Sequence, residues 1–116
     1  MLEAVDAPLI EALRLDGPAR IADVACGGGG TTLALSKRAA RGSEVHGYDV
    51  SDTLVAHARA RRNDAGVTFH CGDVETMPVP PPYERLLSRF GVMFFRDPPG
   101  TFAKLRDWVS PTGRIA

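Results

Sequence analysis

The hydrophobic positions change their period along the chain. Over residues 3–15 they recur at helical spacing: Val5, Leu9, Ala12 and Leu13 share one face, Pro8 is tolerable near the start, and Asp16-Gly17-Pro18 ends the helix. From Arg20 to Ala25 the pattern is short and apolar on both faces, through Ile21, Ala22, Val24 and Ala25. That predicts a central strand covered from both sides. Thr31 to about Arg41 reads as a helix closed by Gly42. Glu44 to Asp49 reads as a second strand, and a cap at Ser51 or Asp52 starts a helix that runs to about Asn63, with Gly66 after it. Val67 to Cys71 is a third strand. Met77 to Pro82 holds four prolines and must be a loop. Tyr83 to Ser88 is a fourth strand, through Leu86 and Leu87. Asp97-Pro98-Pro99 opens a last helix with Phe102, Leu105 and Val109 on one face. Ser110-Pro111-Thr112-Gly113 ends it, and Arg114-Ile115-Ala116 reads as the start of a fifth strand.

Strands alternating with helices imply an α/β domain with a parallel sheet and helices on both faces. There is no internal repeat, low-complexity tract or second domain, so residues 1–116 read as one unit, an N-terminal helix over 1–18 and a core over 19–116. A parallel sheet is not expected to stop two or three residues into a strand. The fourth strand would then show an apolar edge, and such an edge invites association. The chain is expected either to be a fragment or to form a homo-oligomer through that edge.

Composition narrows the partners. At 116 residues, 44% hydrophobic and 24% charged, the chain has the size and make-up of one small soluble domain. Lys and Arg number 14, as do Asp and Glu, so nothing draws the chain to nucleic acid or anionic lipid. No apolar run is long enough to span a bilayer, and Met1-Leu2-Glu3-Ala4 does not open a signal peptide. Cys26 and Cys71 lie at the ends of different strands without metal-type spacing, and His46, His57 and His70 are not clustered. The expectation is a reduced, cytoplasmic protein with no metal, its cysteines small packing residues.

The chemistry concentrates after the first strand, at Asp23-Val24-Ala25-Cys26-Gly27-Gly28-Gly29-Gly30-Thr31-Thr32. Glycine permits positive φ and close approach of a ligand to bare backbone, and a helix N-terminus presents N–H groups to polar ligand atoms. A dinucleotide site prefers G-x-G-x-x-G, but counting from Gly27 gives Gly27, Gly29 and then Thr32, so the third glycine is missing. The pattern acidic-x-Gly-x-Gly-x-Gly fits better, as Asp23, Ala25, Gly27 and Gly29, with alanine in one glycine position. Asp49 follows Gly27 by 22 residues, near the spacing of an acid that meets the ribose of a bound nucleoside.

With these residues in place, the chain resembles class I S-adenosylmethionine-dependent methyltransferases. Gly47-Tyr48-Asp49-Val50-Ser51 is similar to the family's second motif, whose acid holds the ribose hydroxyls. Cys71-Gly72-Asp73-Val74-Glu75-Thr76-Met77-Pro78 resembles the motif whose acid contacts the adenine amino group. Ser88-Arg89-Phe90-Gly91-Val92-Met93-Phe94-Phe95, with Asp97-Pro98, resembles the segment after the fourth strand in a small-molecule subgroup related to quinone-biosynthesis C-methyltransferases. The resemblance runs from Ala19 to Ala116. It implies a Rossmann-like three-layer αβα fold with a mostly parallel sheet in strand order 3-2-1-4 and an incomplete fifth strand, the later strands of the family being absent. It implies methyl transfer from S-adenosyl-L-methionine to a small-molecule acceptor, the cofactor being held by Asp23, Ala25, Cys26, Gly27, Gly29, Thr32, Asp49, Val50, Gly72, Asp73, Val74, Ser88, Arg89 and Phe90. Two alternatives stand beside it: a non-catalytic fragment or subunit that binds the cofactor, and a nicotinamide-dependent oxidoreductase, against which Thr32 in place of the last glycine argues.

Plainer readings accompany several residues. Asp49 can cap the following helix, Asp73 can form a Gly-Asp turn, and Asp23 can clamp the loop rather than touch a ligand. His46 reads as a core histidine, His57 as exposed, and His70 as nearer the pocket. Arg59, Arg61 and Arg62 read as a solvated helix end. Phe90, Met93, Phe94 and Phe95 divide between core and acceptor pocket, and Arg89 sits at the predicted mouth. No residue stands out as a catalytic base.

Overall fold

The computed structural model describes residues 8, 10–24, 26, 29–61, 66–78, 80–88 and 98–116. Strands β1 (Arg20–Val24), β2 (Glu44–Asp49), β3 (Val67–Cys71), β4 (Tyr83–Leu87) and β5 (Val109–Ile115) form one sheet in the order β3-β2-β1-β4-β5, with every neighbouring pair parallel. Helices α1 (Gly30–Arg38), α2 (Asp52–Arg61) and α3 (Pro98–Trp108) flank it. This is the Rossmann-like three-layer arrangement that the alternation implies.

The period-2 pattern sorts side chains between two layers. Ile21, Val45, Val67 and Phe69 face one side and pack with Leu35 of α1, Val55 and Ala58 of α2, and Ile10 and Leu13. Ala22, Val24, Tyr48 and Leu86 join Leu105 and Trp108 of α3 on the other. β1 is buried on both faces, as its doubly apolar sequence requires.

The N-terminal helix is helical at residues 8 and 10–12 and closes by short backbone bonds at Leu13 and Arg14, sooner than its sequence pattern. Ile10 and Leu13, three apart, form its buried face, whereas Ala12 is exposed. Val5 and Leu9 lie outside the described residues, as does the Phe102 side chain.

α1 also ends early, at Arg38. Ala39 is already extended, and Gly42 at φ 92° serves a turn in which the Ser43 N–H donates to the Ala40 carbonyl, rather than closing the helix.

The largest correction concerns β5. Val109 is not on the helix: it pairs with Tyr83 at the start of a strand running to Ile115. Between Val109 and Arg114 the β5 chain advances five residues while β4 advances two, from Tyr83 to Arg85. The Ser110-Pro111-Thr112-Gly113 turn is thus an irregularity inside the pairing, not a break before it. Gly113 is needed there, since a Cβ on it would lie 2.2 Å from Val109 Cγ1 and 2.9 Å from the Glu84 carbonyl oxygen. Regular pairing resumes at Arg85–Arg114, and the Ala116 N–H donates to the Leu86 carbonyl at 2.9 Å. β4 therefore carries a neighbour on both sides, and the expected open β4 edge, with the homo-oligomer through it, has no basis in this geometry.

Two polar ties fix the strand starts. The Glu84 carboxylate accepts a hydrogen bond from the Arg20 N–H, joining β1 to β4. The Arg20 guanidinium lies 4.6 Å above the Tyr83 ring, and the Tyr83 hydroxyl is hydrogen-bonded to that of Tyr48. Trp108 packs edge-on to Tyr48 at 5.0 Å and stacks on Tyr83 at 6.2 Å between ring centroids.

Candidate functional site

In a parallel sheet all carboxyl ends lie on one side, and the ligand cleft forms there. The ladder here continues past the strand ends. The Cys26 N–H donates to the Tyr48 carbonyl at 2.8 Å, and the Gly72 N–H donates to the Asp49 carbonyl at 2.9 Å. These bonds draw the segments after β1, β2 and β3 into one rim.

The end of β1 carries one half of a buried polar pair. Asp23 and Thr32 are both fully enclosed, and the Thr32 hydroxyl donates to Asp23 Oδ2 at 2.7 Å. The bond joins the end of β1 to the first turn of α1. Space for it comes from Gly47, where a Cβ would lie 3.0 Å from Thr32 Oγ1, 3.1 Å from Cys26 Sγ and 2.8 Å from Phe69 Cδ1. Burial first, and then the carboxylates of Asp23 and Asp49, push the Cys26 thiol up to about 12, so it stays protonated and is no nucleophile.

Gly29 is the residue before α1, at φ 90° and ψ 5°, and caps the helix without a side-chain hydrogen bond. A Cβ there would lie 2.9 Å from the Ala58 Cβ, so glycine is required both by its backbone angle and by the approach of α2. Gly30 contrasts with it: among the described residues, a Cβ there would meet nothing within 4 Å.

On the neighbouring strands, the Ser51 N–H donates to Asp49 Oδ1 at 2.9 Å, and the Glu75 N–H donates to Asp73 Oδ1 at 2.9 Å. Each carboxylate is thereby oriented by the N–H two residues on, in the local turn that aspartate favours. Asp49 does not cap α2: Ser51 does, its Oγ accepting from the Leu54 N–H at 3.2 Å. Asp73 does form a turn, since its carbonyl accepts from the Thr76 and Met77 N–H groups at 3.0 and 2.9 Å. Val50, the residue after Asp49, is 67% exposed. Cys71 donates to Asp52 Oδ1 at 2.7 Å, and that bond, more than any other influence, raises its thiol above the ordinary value.

The structure thus brings Asp23, Cys26, Gly29, Thr32, Asp49, Val50, Gly72 and Asp73 to one end of the sheet, but not with equal exposure. Thr32 and Cys26 lie below the rim, and Val74 is buried against the α3 layer. The Ser88 hydroxyl, after β4, is buried with no hydrogen-bond partner among the described residues. Ala25, Gly27, Arg89, Phe90, Met93, Phe94 and Phe95 lie outside the described residues.

The histidines are engaged elsewhere. His46 Nδ1 and His70 Nε2 are 2.8 Å apart, with the rings stacked, and His57 is exposed on α2. The sequence carried no signal for this cross-strand pair. Among the described residues no three His, Cys, Asp or Glu side chains are placed to hold a metal ion, and no helix is long and apolar enough to cross a membrane.

The geometry fits a nucleoside ligand: two oriented carboxylates on adjacent strand ends, with an exposed apolar side chain next to one of them. Comparison with known proteins points the same way. The chain is 31% identical over 110 residues to malonyl-[acyl-carrier protein] O-methyltransferase of Acetivibrio thermocellus, covering 93% of this chain and 38% of that protein. It is 28% identical over 99 residues to the ubiquinone/menaquinone biosynthesis C-methyltransferase of Bordetella avium, covering 83% of this chain and 39% of that one. The chain spans less than half the length of both of these relatives. A crystal structure of an S-adenosylmethionine dependent methyltransferase from Mesorhizobium loti superposes with a TM-score of 0.85 at 26% identity, covering 99% of this chain and 54% of that one. A family model described as a methyltransferase domain matches residues 21–113, and the chain belongs to that family.

Proposed function

We propose that this chain is the cofactor-binding part of an S-adenosyl-L-methionine-dependent methyltransferase acting on a small organic acceptor. The observation that carries the reading is the pair of oriented acids, Asp49 and Asp73, on adjacent strand ends. The family and the named relatives support it. When bound, S-adenosylmethionine supplies a methyl group already activated by its sulfonium.

The residues of this chain then bind and orient. Asp49 accepts from the two ribose hydroxyls, as a carboxylate at the end of β2 is suited to do. Asp73 accepts from the adenine amino group, and Val50 offers the ring an apolar shelf. Ala25, Gly27, Gly29 and the first turn of α1 take the methionine portion. Gly72 lets the chain pass close to the ring, and Ser88, Arg89 and Phe90 add further cofactor contacts. Asp23, Thr32, Cys26 and Val74 support this rim from below. Alignment of acceptor, methyl carbon and sulfur is what such a site contributes, worth about 7–11 kcal/mol of barrier when the geometry is good. Cys26 and Cys71 are not joined in a disulfide, which fits a reducing cytoplasmic setting.

The test is calorimetric titration with S-adenosylhomocysteine, the product form of the cofactor. Saturable binding is expected, and no heat at millimolar ligand would refute the reading. Asp49→Ala should weaken binding by at least about tenfold, the worth of one charge-assisted hydrogen bond. Transfer of labelled methyl to an acceptor pool then distinguishes turnover from binding.

A further inference from the structure

We propose that Lys104, on α3, is a positioning residue for the adenine side of the cleft, acting on Asp73 through the loop at 72–78. This rests on the reading of Asp73 given above.

The Lys104 ammonium donates to the Met77 carbonyl at 2.6 Å, across 27 residues of sequence. Met77 is the far end of the turn that starts at Asp73, since its N–H donates to the Asp73 carbonyl. The Asp73 carboxylate is oriented within that same turn by the Glu75 N–H. A short chain of bonds therefore runs from the α3 side chain to the carboxylate at the rim. Packing takes the same route. Val74 is buried with Leu105 and Trp108, Met77 packs against that cluster, and the Met77 thioether folds back to 3.5 Å from where a Gly72 Cβ would be.

The loop needs such a tether because a proline-rich stretch succeeds it. Pro78, Pro80, Pro81 and Pro82 have no N–H to give, so the backbone beyond Met77 has few donors with which to fasten itself to the sheet. A charged donor on a neighbouring helix supplies the missing anchor, and a hydrogen bond from an ionised group is among the stronger ones.

The experiment compares S-adenosylhomocysteine with S-inosylhomocysteine, which turns the donor amino group into an acceptor carbonyl facing Asp73 and moves its donor to the neighbouring N1. Binding of both is measured by calorimetry to the wild-type chain, Lys104→Met and Lys104→Arg. Lys104 is half-buried, and Met keeps its aliphatic stem. Should the Met variant not fold, Lys104→Gln takes its place with the same readings.

The wild type should prefer the adenosyl ligand by about tenfold or more. Lys104→Met should lose roughly tenfold in adenosyl affinity and most of that preference, and Lys104→Arg should restore both. An unchanged affinity in Lys104→Met overturns the proposal, as does a weaker affinity with the base preference intact, which would mark a merely structural role. If the wild type binds neither ligand, the cofactor reading itself fails. If it binds both alike, the role of Asp73 fails and the proposal falls with it.

Discussion

Replacing Thr32 by valine tests the buried bond between β1 and α1. The two side chains have nearly the same shape, so the substitution opens no appreciable cavity. What it removes is the hydroxyl that donates to Asp23 Oδ2 at 2.7 Å, in a pair closed to solvent. Withdrawing a donor from a buried carboxylate costs about 1.5–3 kcal/mol. Thr32→Ser does the reverse: it keeps the donor and removes one methyl, which costs about 1–1.5 kcal/mol with its small cavity. The electrostatic loss exceeds the packing loss, so stability should fall in the order wild type, Ser, Val. Urea unfolding at pH 7 reads the order from the midpoints, provided the slope m is unchanged. Combining Thr32→Val with Asp23→Asn should show a coupling of at least about 0.5 kcal/mol, since the two groups share one bond. A valine variant as stable as wild type, or more stable than the serine variant, would refute the assignment of that bond as the tie between β1 and α1.

Separate parts of the fold carry three further expectations. His46 and His70 are both held below the ordinary value of 6.5 by burial first, then by Arg20 for His46, against the opposing pull of Glu44, and by His46 and Arg59 for His70. As pH falls through about 6.5 the unfolded chain takes protons that the folded chain refuses, so stability should drop between pH 7.5 and 5.5; a urea midpoint that holds or rises, or an equal drop in His46→Asn/His70→Asn, would contradict this. Gly113→Ala should destabilise by about 2 kcal/mol or more through contact with Val109 and the Glu84 carbonyl, whereas Gly17→Ala, with nothing within 4 Å of its Cβ, should stay within about 0.5 kcal/mol of wild type in thermal melts. With a thiol reagent at pH 8 the folded chain should label at exposed Cys71 and leave Cys26 untouched until unfolding, and rapid labelling of both would be inconsistent with the packing around Gly47.

Much of this architecture was legible locally. β2 and β3 begin and end where their sequences indicate, because turn residues bracket them: Gly42 and Ser43 before β2, Gly66 before and Gly72 after β3. The departures from local expectation have non-local causes. Ala39 and Ala40 continue a good helical composition after Arg38, and the turn at Gly42 feeding β2 stops the helix instead. Val109 carries helical spacing relative to Leu105, yet its backbone is claimed by Tyr83, 26 residues earlier. At the site, the glycine turn and the acids Asp49 and Asp73 stand out because their residue types are costly or pointless elsewhere. Thr32 and Val74 belong to the same motifs but face the interior, and linear spacing carries no information about which side of a rim a residue occupies. Lys104 had no signal at all, since a lone lysine on an amphipathic helix looks like any solvated one.

Both tyrosines of the chain, Tyr48 and Tyr83, lie against its one tryptophan, Trp108, which is fully buried at the last position of α3. At ring separations of 5.0 and 6.2 Å, light absorbed by either phenol passes to the indole before it can be emitted. The folded chain should therefore fluoresce as tryptophan alone, blue-shifted by its dry surroundings, and regain a tyrosine band when α3 leaves the sheet. Because α3 also carries Lys104, the chain has a built-in optical reporter on the element that holds the Asp73 loop.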